Sequence, residues 1–274
     1  MLNVNIESTA SIEKLRWIMA QLRDPETGCP WDLKQTFETV VPHTIEEAYE
    51  VAEAVAQAVE QQDFSELEKE LGDLLFQVIF YSQLGQEQQC FDFDSVVAAI
   101  CEKLIRRHPH VFGDKSLLTD AAIKANWENE KAKERQHKNK SEDISILADI
   151  PKNLPALSQA AKIQKRCAHV GFDWDNIDDV FAKVVEEVEE VKEELHQSPE
   201  RLAEELGDLM FAVVNLSRHA KQDPEQLLRQ ANQKFTQRFH NVEQQVSASN
   251  QSFEQHDLEQ LEAYWQQAKL APKK

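Results

Sequence analysis

Glu187, Glu190, Glu205 and Asp208 are four carboxylates whose spacing allows them to meet. The first two lie in K-x-x-E-E-V-E-E, which begins at Lys183. The second two lie in R-L-A-E-E-L-G-D-L-M-F, which begins at Arg201, with a break at Ser198-Pro199 between the segments. At about 100° per residue, Glu187 and Glu190 share one flank of a helix, and Glu205 and Asp208 share the equivalent flank of the next. Carboxylates that converge in a groove repel one another unless a cation sits among them, and hard, oxygen-preferring divalent ions are the usual occupants. The expectation is a Mg²⁺ site that Mn²⁺ can also fill. Such a site becomes chemically useful when it receives a phosphate: metals hold a polyphosphate, polarise a P–O bond and acidify an attacking water. Glu186, beside the ligands, is the candidate to orient that water or take its proton. Lys234 and Arg238, at i and i+4 on a later helix, have the spacing to neutralise further phosphate oxygens.

Two consecutive amphipathic helices must position these groups. Apolar residues at 180, 181, 184, 185, 188, 191 and 195 form one stripe; Leu202, Leu206, Leu209, Met210 and Val213 form the other. Upstream, Ile12, Leu15, Ile18, Met19 and Leu22 predict a helix over 11–23, stopped by Asp24-Pro25 and Gly28. A second is expected to start near Thr44, whose T-x-x-E relation to Glu47 matches a capping box, and a third at Ser65-x-x-Glu68. The third has its buried stripe at Leu67, Leu71, Leu74, Leu75, Val78 and Ile79. A fourth, from about Asp94 to Arg107, is expected to bury Val97, Ile100, Cys101 and Leu104, and a short one surrounds Trp127. Between about 132 and 150 the chain, with the run KAKERQHKNKSED, has no apolar periodicity and suits a linker or an exposed helix; the domain division takes 135–149 as the charged linker.

The pattern then repeats. Trp31-Asp32 corresponds to Trp174-Asp175, E-E-x-x-E at 46–50 to 186–190, and E-L-G-D-L-L-F at 70–76 to E-L-G-D-L-M-F at 205–211. Lys103-x-x-x-Arg107 matches Lys234-x-x-x-Arg238, and Trp127-x-x-x-Lys131 matches Trp265-x-x-x-Lys269. The reading is an all-α chain of two tandem duplicated helical-bundle domains, 1–134 and 150–274. Glu47, Glu50, Glu70 and Asp73 form a possible second metal site. Each domain has wide apolar helix faces around a small core, which points to a homodimer.

Composition narrows the partners. With 30 basic and 49 acidic residues and a net charge of −19, the chain lacks the basic clustering that nucleic-acid backbones require. Only 6 Gly and 9 Pro, with abundant Ala, Glu, Gln, Leu and Lys, favour helices. The cysteines at 29, 90, 101 and 167 form no C-x-x-C pair, and neither a signal peptide nor an apolar run of about 20 residues is evident, so a cytoplasmic location away from membranes is expected.

E-E-x-x-E followed by E-x-x-D, twice, with the later K-x-x-x-R and W-x-x-x-K, resembles the MazG family, the tandem-domain nucleoside triphosphate pyrophosphohydrolases of an all-α superfamily. The likeness runs from about residue 11 to 270. It implies Mg²⁺-dependent hydrolysis of (deoxy)nucleoside triphosphates to monophosphate and pyrophosphate on bundles that dimerise, with catalysis mainly in the C-terminal domain. Carried over, Glu187, Glu190, Glu205 and Asp208 resemble the metal ligands. Lys234, Arg238 and Trp265 resemble the nucleotide pocket, with Glu204 and Lys269 assigned to substrate binding beside them.

One difference separates the copies. Lys183 precedes Glu187 and Glu190 by a turn, and Arg201 precedes Glu205 and Asp208; the N-terminal equivalents are His43 and Glu66. A like charge facing a triphosphate in a partly dehydrated site costs several kcal/mol on the rough scale for such contacts. The C-terminal site is therefore expected to turn over nucleotides, with Lys183 and Arg201 among the substrate-binding residues, and the N-terminal site to bind metal but hydrolyse poorly. A non-catalytic regulator that senses metal or nucleotides is the alternative. A di-iron bundle is disfavoured, because its E-x-x-H candidates, Glu134/His137 and Glu193/His196, fall in the linker and near a helix end.

Overall fold

The computed structural model describes residues 10–113, 119, 122–123, 125–127, 129–130, 133–134, 145–148 and 150–270. Most of the expected linker, with Lys131 and His137, lies outside them. The chain divides into two compact units, residues 1–134 and 135–274, and among the described residues helix is the only regular structure. No helix there is long and apolar enough to cross a membrane.

In the first unit, α1 (Ile12–Leu22), α2 (Phe37–Gln61), α3 (Ser65–Glu87), α4 (Phe93–Arg107) and the single turn α5 (Pro109–Phe112) follow in order. α2 and α3 form a hairpin, with α1 and α4 packed on α3. Met19 of α1, Val40 of α2 and Ile79, Phe80 and Leu84 of α3 make the core, each 2 % exposed or less.

The second unit contains α6 (Ala156–Ala168), α7 (Ile177–Glu194), α8 (Pro199–His219), α9 (Pro224–Ala248) and α10 (Leu258–Leu270). α7 and α8 form the matching hairpin, α6 packs on α8, and α9 pairs with α10. The starts of the hairpin helices are set locally. Asn176 accepts a hydrogen bond from the Asp179 N–H to cap α7. Ser198 accepts one from the Arg201 N–H to cap α8, with Pro199 at the first helical position where its missing N–H is harmless.

Three expectations are corrected. α2 begins at Phe37, seven residues before Thr44, because Thr36 and Thr39 form a reciprocal capping box. Thr44 lies inside the helix and donates its hydroxyl to the Val40 carbonyl. α3 does start at Ser65, but without the Ser65/Glu68 box, since the Asp63 carboxylate accepts from the Ser65 N–H. α4 buries none of its residues: Val97, Ile100, Cys101 and Leu104 are all exposed, because its contacts are chiefly with α3 and α5, which leaves its outer face uncovered. The same holds for part of each hairpin stripe, including Leu71, Leu75, Phe181, Val185, Val188, Leu206, Met210 and Val213.

Charged lashes fix how the hairpins sit. Arg23, at the end of α1, pairs with Glu87 at the end of α3 (2.6 Å). In the second unit Arg218, near the end of α8, and His219 both bind Asp173 in the loop before α7. The Arg218 hydrogen bonds, aided by His219, hold the Asp173 carboxyl well below its ordinary 3.8, at about 2. A depressed carboxylate pKa contributes stability above the unfolded value and loses it as pH falls towards the folded one. Asp173→Asn is therefore expected to lower unfolding stability at pH 7 by on the order of 1–2 kcal/mol, after discounting for solvent screening. Denaturation followed by circular dichroism is expected to show that deficit closing between about pH 4 and pH 2.

Candidate active site

The antiparallel crossing of α7 and α8 sets the site. Arg201 meets Glu194 across the hairpin at 2.9 Å, and one turn deeper Glu190 faces Glu205. Carboxylate oxygens of Glu187, Glu190 and Glu205 all lie within 4.8 Å of one another. Glu187 is 5 % exposed, and its Oε2 is buried without a hydrogen-bond partner. Asp208 is on the same flank of α8, a turn beyond Glu205, but is exposed and outside this close set. An all-oxygen donor set with an unsatisfied buried oxygen fits a hard divalent cation.

The electrostatics reflect crowding. Burial, then the Glu187 charge, raise the Glu190 carboxyl above its usual range; Lys183 opposes this and Glu205 adds to it. Lys183 Nζ lies 2.7 Å from Glu186 and 2.8 Å from Glu187, which hold its ammonium above the ordinary lysine range. Glu186, the candidate to orient the attacking water or take its proton, is thus a partner of Lys183. The groove runs from Lys183, through Glu187, Glu190 and Glu205, to Arg201, with a cation at each end.

The N-terminal hairpin repeats the carboxylates without those cations. Glu47, Glu70 and Asp73 place oxygens within 4.8 Å of one another. Glu50 is exposed, though its charge helps raise both Glu47 and Glu70. Gln77, 7 % exposed, approaches Glu47 at 3.5 Å, whereas His43 lies 3.8 Å from Glu46. After burial and Glu50, Glu66 is a cause of the raised Glu70 carboxyl, so the residue in place of Arg201 adds to the repulsion. Arg107, the counterpart of Arg238, is bound by Glu134, whose carboxyl its hydrogen bonds, with those of Arg106, bring down to about 2.

The remaining predicted residues sit on a different helix pair. Trp265 of α10 packs against Phe235 of α9 with ring centroids 4.9 Å apart, and Lys269 lies 5.9 Å over the Trp265 ring. Phe235 stacks in turn on Phe239, and Phe239 on Phe253. Lys234 and Arg238 precede Phe235 and Phe239 by one residue each on α9, while Glu204 is exposed on α8 next to Glu205. Sequence reasoning missed Glu194, although 187, 190 and 194 follow the i, i+3, i+7 spacing of one helix face. It also missed the Asp173–Arg218 lash, which joins residues far apart in sequence and has no local signature.

Residues 35–112 and 176–246, which include the two hairpins, match the model of the MazG nucleotide pyrophosphohydrolase domain. The chain is 51 % identical to the nucleoside triphosphate pyrophosphohydrolase of Escherichia coli K12, over 94 % of this chain and 97 % of that protein. It is 41 % identical to the Thermotoga maritima nucleoside triphosphate pyrophosphohydrolase/pyrophosphatase MazG, over 96 % and 97 %. An uncharacterized Bacillus subtilis protein, YabN, is 41 % identical over 93 % of this chain and half of its own length. The chain belongs to the MazG family.

Repulsion at Glu190 has a measurable consequence. An acid whose folded pKa is raised destabilises the fold as pH rises through that pKa. In EDTA at pH 7, Glu190→Gln is expected to melt above wild type by differential scanning fluorimetry, with the advantage vanishing below about pH 4, where the carboxylates protonate.

Proposed function

We propose that the C-terminal unit hydrolyses (deoxy)nucleoside triphosphates to nucleoside monophosphate and pyrophosphate, with Mg²⁺ or Mn²⁺ held by Glu187, Glu190 and Glu205 and completed by Asp208. The observation that carries this reading is the carboxylate cluster with a cation at each end of its groove, in a chain of the MazG family. Bound metal supplies charge neutralisation of the polyphosphate and acidification of a water. The side chains supply the rest. Lys183 and Arg201 contact phosphate oxygens from the two ends of the groove, and Lys234 and Arg238 receive the remaining charge. Trp265 and Lys269 form the nucleotide-facing wall, with Glu204 at its edge. A triphosphate competes for Lys183, and Glu186, so released, accepts the proton of the water that attacks phosphorus. The phosphoanhydride bond between the α- and β-phosphates breaks, and the leaving oxygen carries its electron pair away.

The N-terminal unit, in this reading, binds metal at Glu47, Glu70 and Asp73, with Glu50 nearby, and hydrolyses poorly. His43 stands in place of Lys183, Glu66 repels polyphosphate, and Arg107 is engaged by Glu134. A regulatory role for this half is compatible with such a site. Pyrophosphate release from dNTPs in Mg²⁺ tests the assignment. Glu190→Gln is expected to lower kcat by at least about 10²-fold, and Glu50→Gln to stay within about threefold of wild type. The reverse order would overturn it.

A homodimer in the cytoplasm completes the reading. Its support is the bare face of α7 and α8, where Phe181, Val185, Val188, Met210 and Phe211 are 43–63 % exposed. Gly207 lies on that side of α8, and a Cβ there would meet nothing within 4 Å. Glycine inside a helix costs about 1 kcal/mol relative to alanine, so its presence is best explained by close approach of a second surface. Gly207→Leu is expected to shift sedimentation from dimer towards monomer while leaving helix content intact; an unchanged dimer would exclude this face.

A further inference from the structure

Glu194 occupies the last turn of α7 and is 6 % exposed. One carboxylate oxygen lies 2.9 Å from Arg201 Nη2, and the other is buried with no hydrogen-bond partner. A buried carboxylate with an unsatisfied oxygen is costly, and an ion pair with a side chain as exposed as Arg201, at 64 %, recovers little of that cost. Stability therefore does not account for Glu194. The duplicated half sharpens the point, because the equivalent position is Ala54, equally buried at 4 %, opposite Glu66. Glu194 goes with Arg201, and Ala54 goes with Glu66. A carboxylate at position 54 would face Glu66 unpaired, and an alanine at 194 would leave Arg201 untethered.

Resting on the pyrophosphohydrolase reading, we propose that Glu194 is a positioning residue for the triphosphate. It anchors the Arg201 guanidinium at the lip of the groove, one helical turn from Glu205, with its remaining N–H donors presented to phosphate. Arginine carries about 2 kcal/mol of rotamer entropy, and ordering it before the ligand arrives removes part of that cost from binding. The negative charge of Glu194 works against phosphate attraction, so its benefit is orientation and its sign is testable. If Glu194 merely masks Arg201, removing its charge will tighten binding; if it positions Arg201, removal will weaken binding.

The experiment is steady-state pyrophosphate release from dNTPs by the full chain at saturating Mg²⁺, for wild type, Glu194→Gln, Arg201→Ala and the double variant. Glu194→Gln is expected to raise KM about five- to tenfold with kcat within about twofold. The same change in the Arg201→Ala background is expected to leave KM unaltered, because the effect passes through Arg201. A KM that is unchanged or lower in Glu194→Gln, or that rises equally in both backgrounds, overturns the proposal. Should Glu194→Gln fold poorly, Glu194→Ala copies the residue that the N-terminal unit buries at this position and is read by the same criteria. Absence of pyrophosphate release from wild type would sink the activity itself, an outcome seen before any variant is compared.

Discussion

Carboxylates crowded into a helix–helix groove repel one another, and the contacts around the C-terminal hairpin hold its helices together against that repulsion. Glu187, Glu190 and Glu205 sit closer together than unpaired acids would choose, and burial makes their mutual field stronger than it would be in water. Lys183, paired with Glu187, offsets it from one end, while Arg201 at the other end pairs with Glu194. The apparatus around the hairpin then reads as resistance to splaying. α7 and α8 are capped at their starts, the loop before α7 is lashed to Arg218, and Gln164 of α6 donates to the Phe211 carbonyl on the back of α8 (2.8 Å). Stability is held below its maximum at the groove and restored away from it, as is common where a fold keeps a charged site ready for a ligand.

The duplication separates scaffold from chemistry. Both hairpins bring three acids within 4.8 Å of one another, sharing the pairs Glu47/Glu187 and Glu70/Glu205 and differing in the third member, Asp73 in one and Glu190 in the other, so the acidic motif is common property. What differs is the charge at the ends of the groove: a lysine against a histidine, an arginine against a glutamate, a buried glutamate against an alanine. Each exchange changes the charge lining the groove without changing the local fold, since the altered positions are helical in both units and 54 and 194 are buried in both.

Much of this was legible before any coordinates. The 3.6-residue periodicity marked the hairpin helices, and Ser198-Pro199 marked the break between them, because caps and apolar stripes are local properties of the chain. The position of α2 was misread because Thr44/Glu47 and Thr36/Thr39 offer competing starts, and only the reciprocal pair at Thr36 forms. The buried stripe assigned to α4 failed for a different reason: periodicity reports that a face is apolar, not that anything within the same unit covers it. Ion pairing was the least legible. Lys183 could be placed beside the acids by spacing, but its simultaneous hold on Glu186 and Glu187 required rotamers.

By itself, then, the sequence determined the all-α class, the internal repeat, the acidic clusters and the cations that distinguish the copies, because each is written in residue type and short-range spacing. The packing of the helices sets which acids come within reach of one another, leaves Asp208 and Glu50 outside the closest sets, buries Glu194 against Arg201, and leaves particular apolar faces bare. Those outcomes depend on the register at which one helix crosses another, and that register is set by packing and by long-range lashes such as Asp173–Arg218 rather than by anything within a single turn of chain.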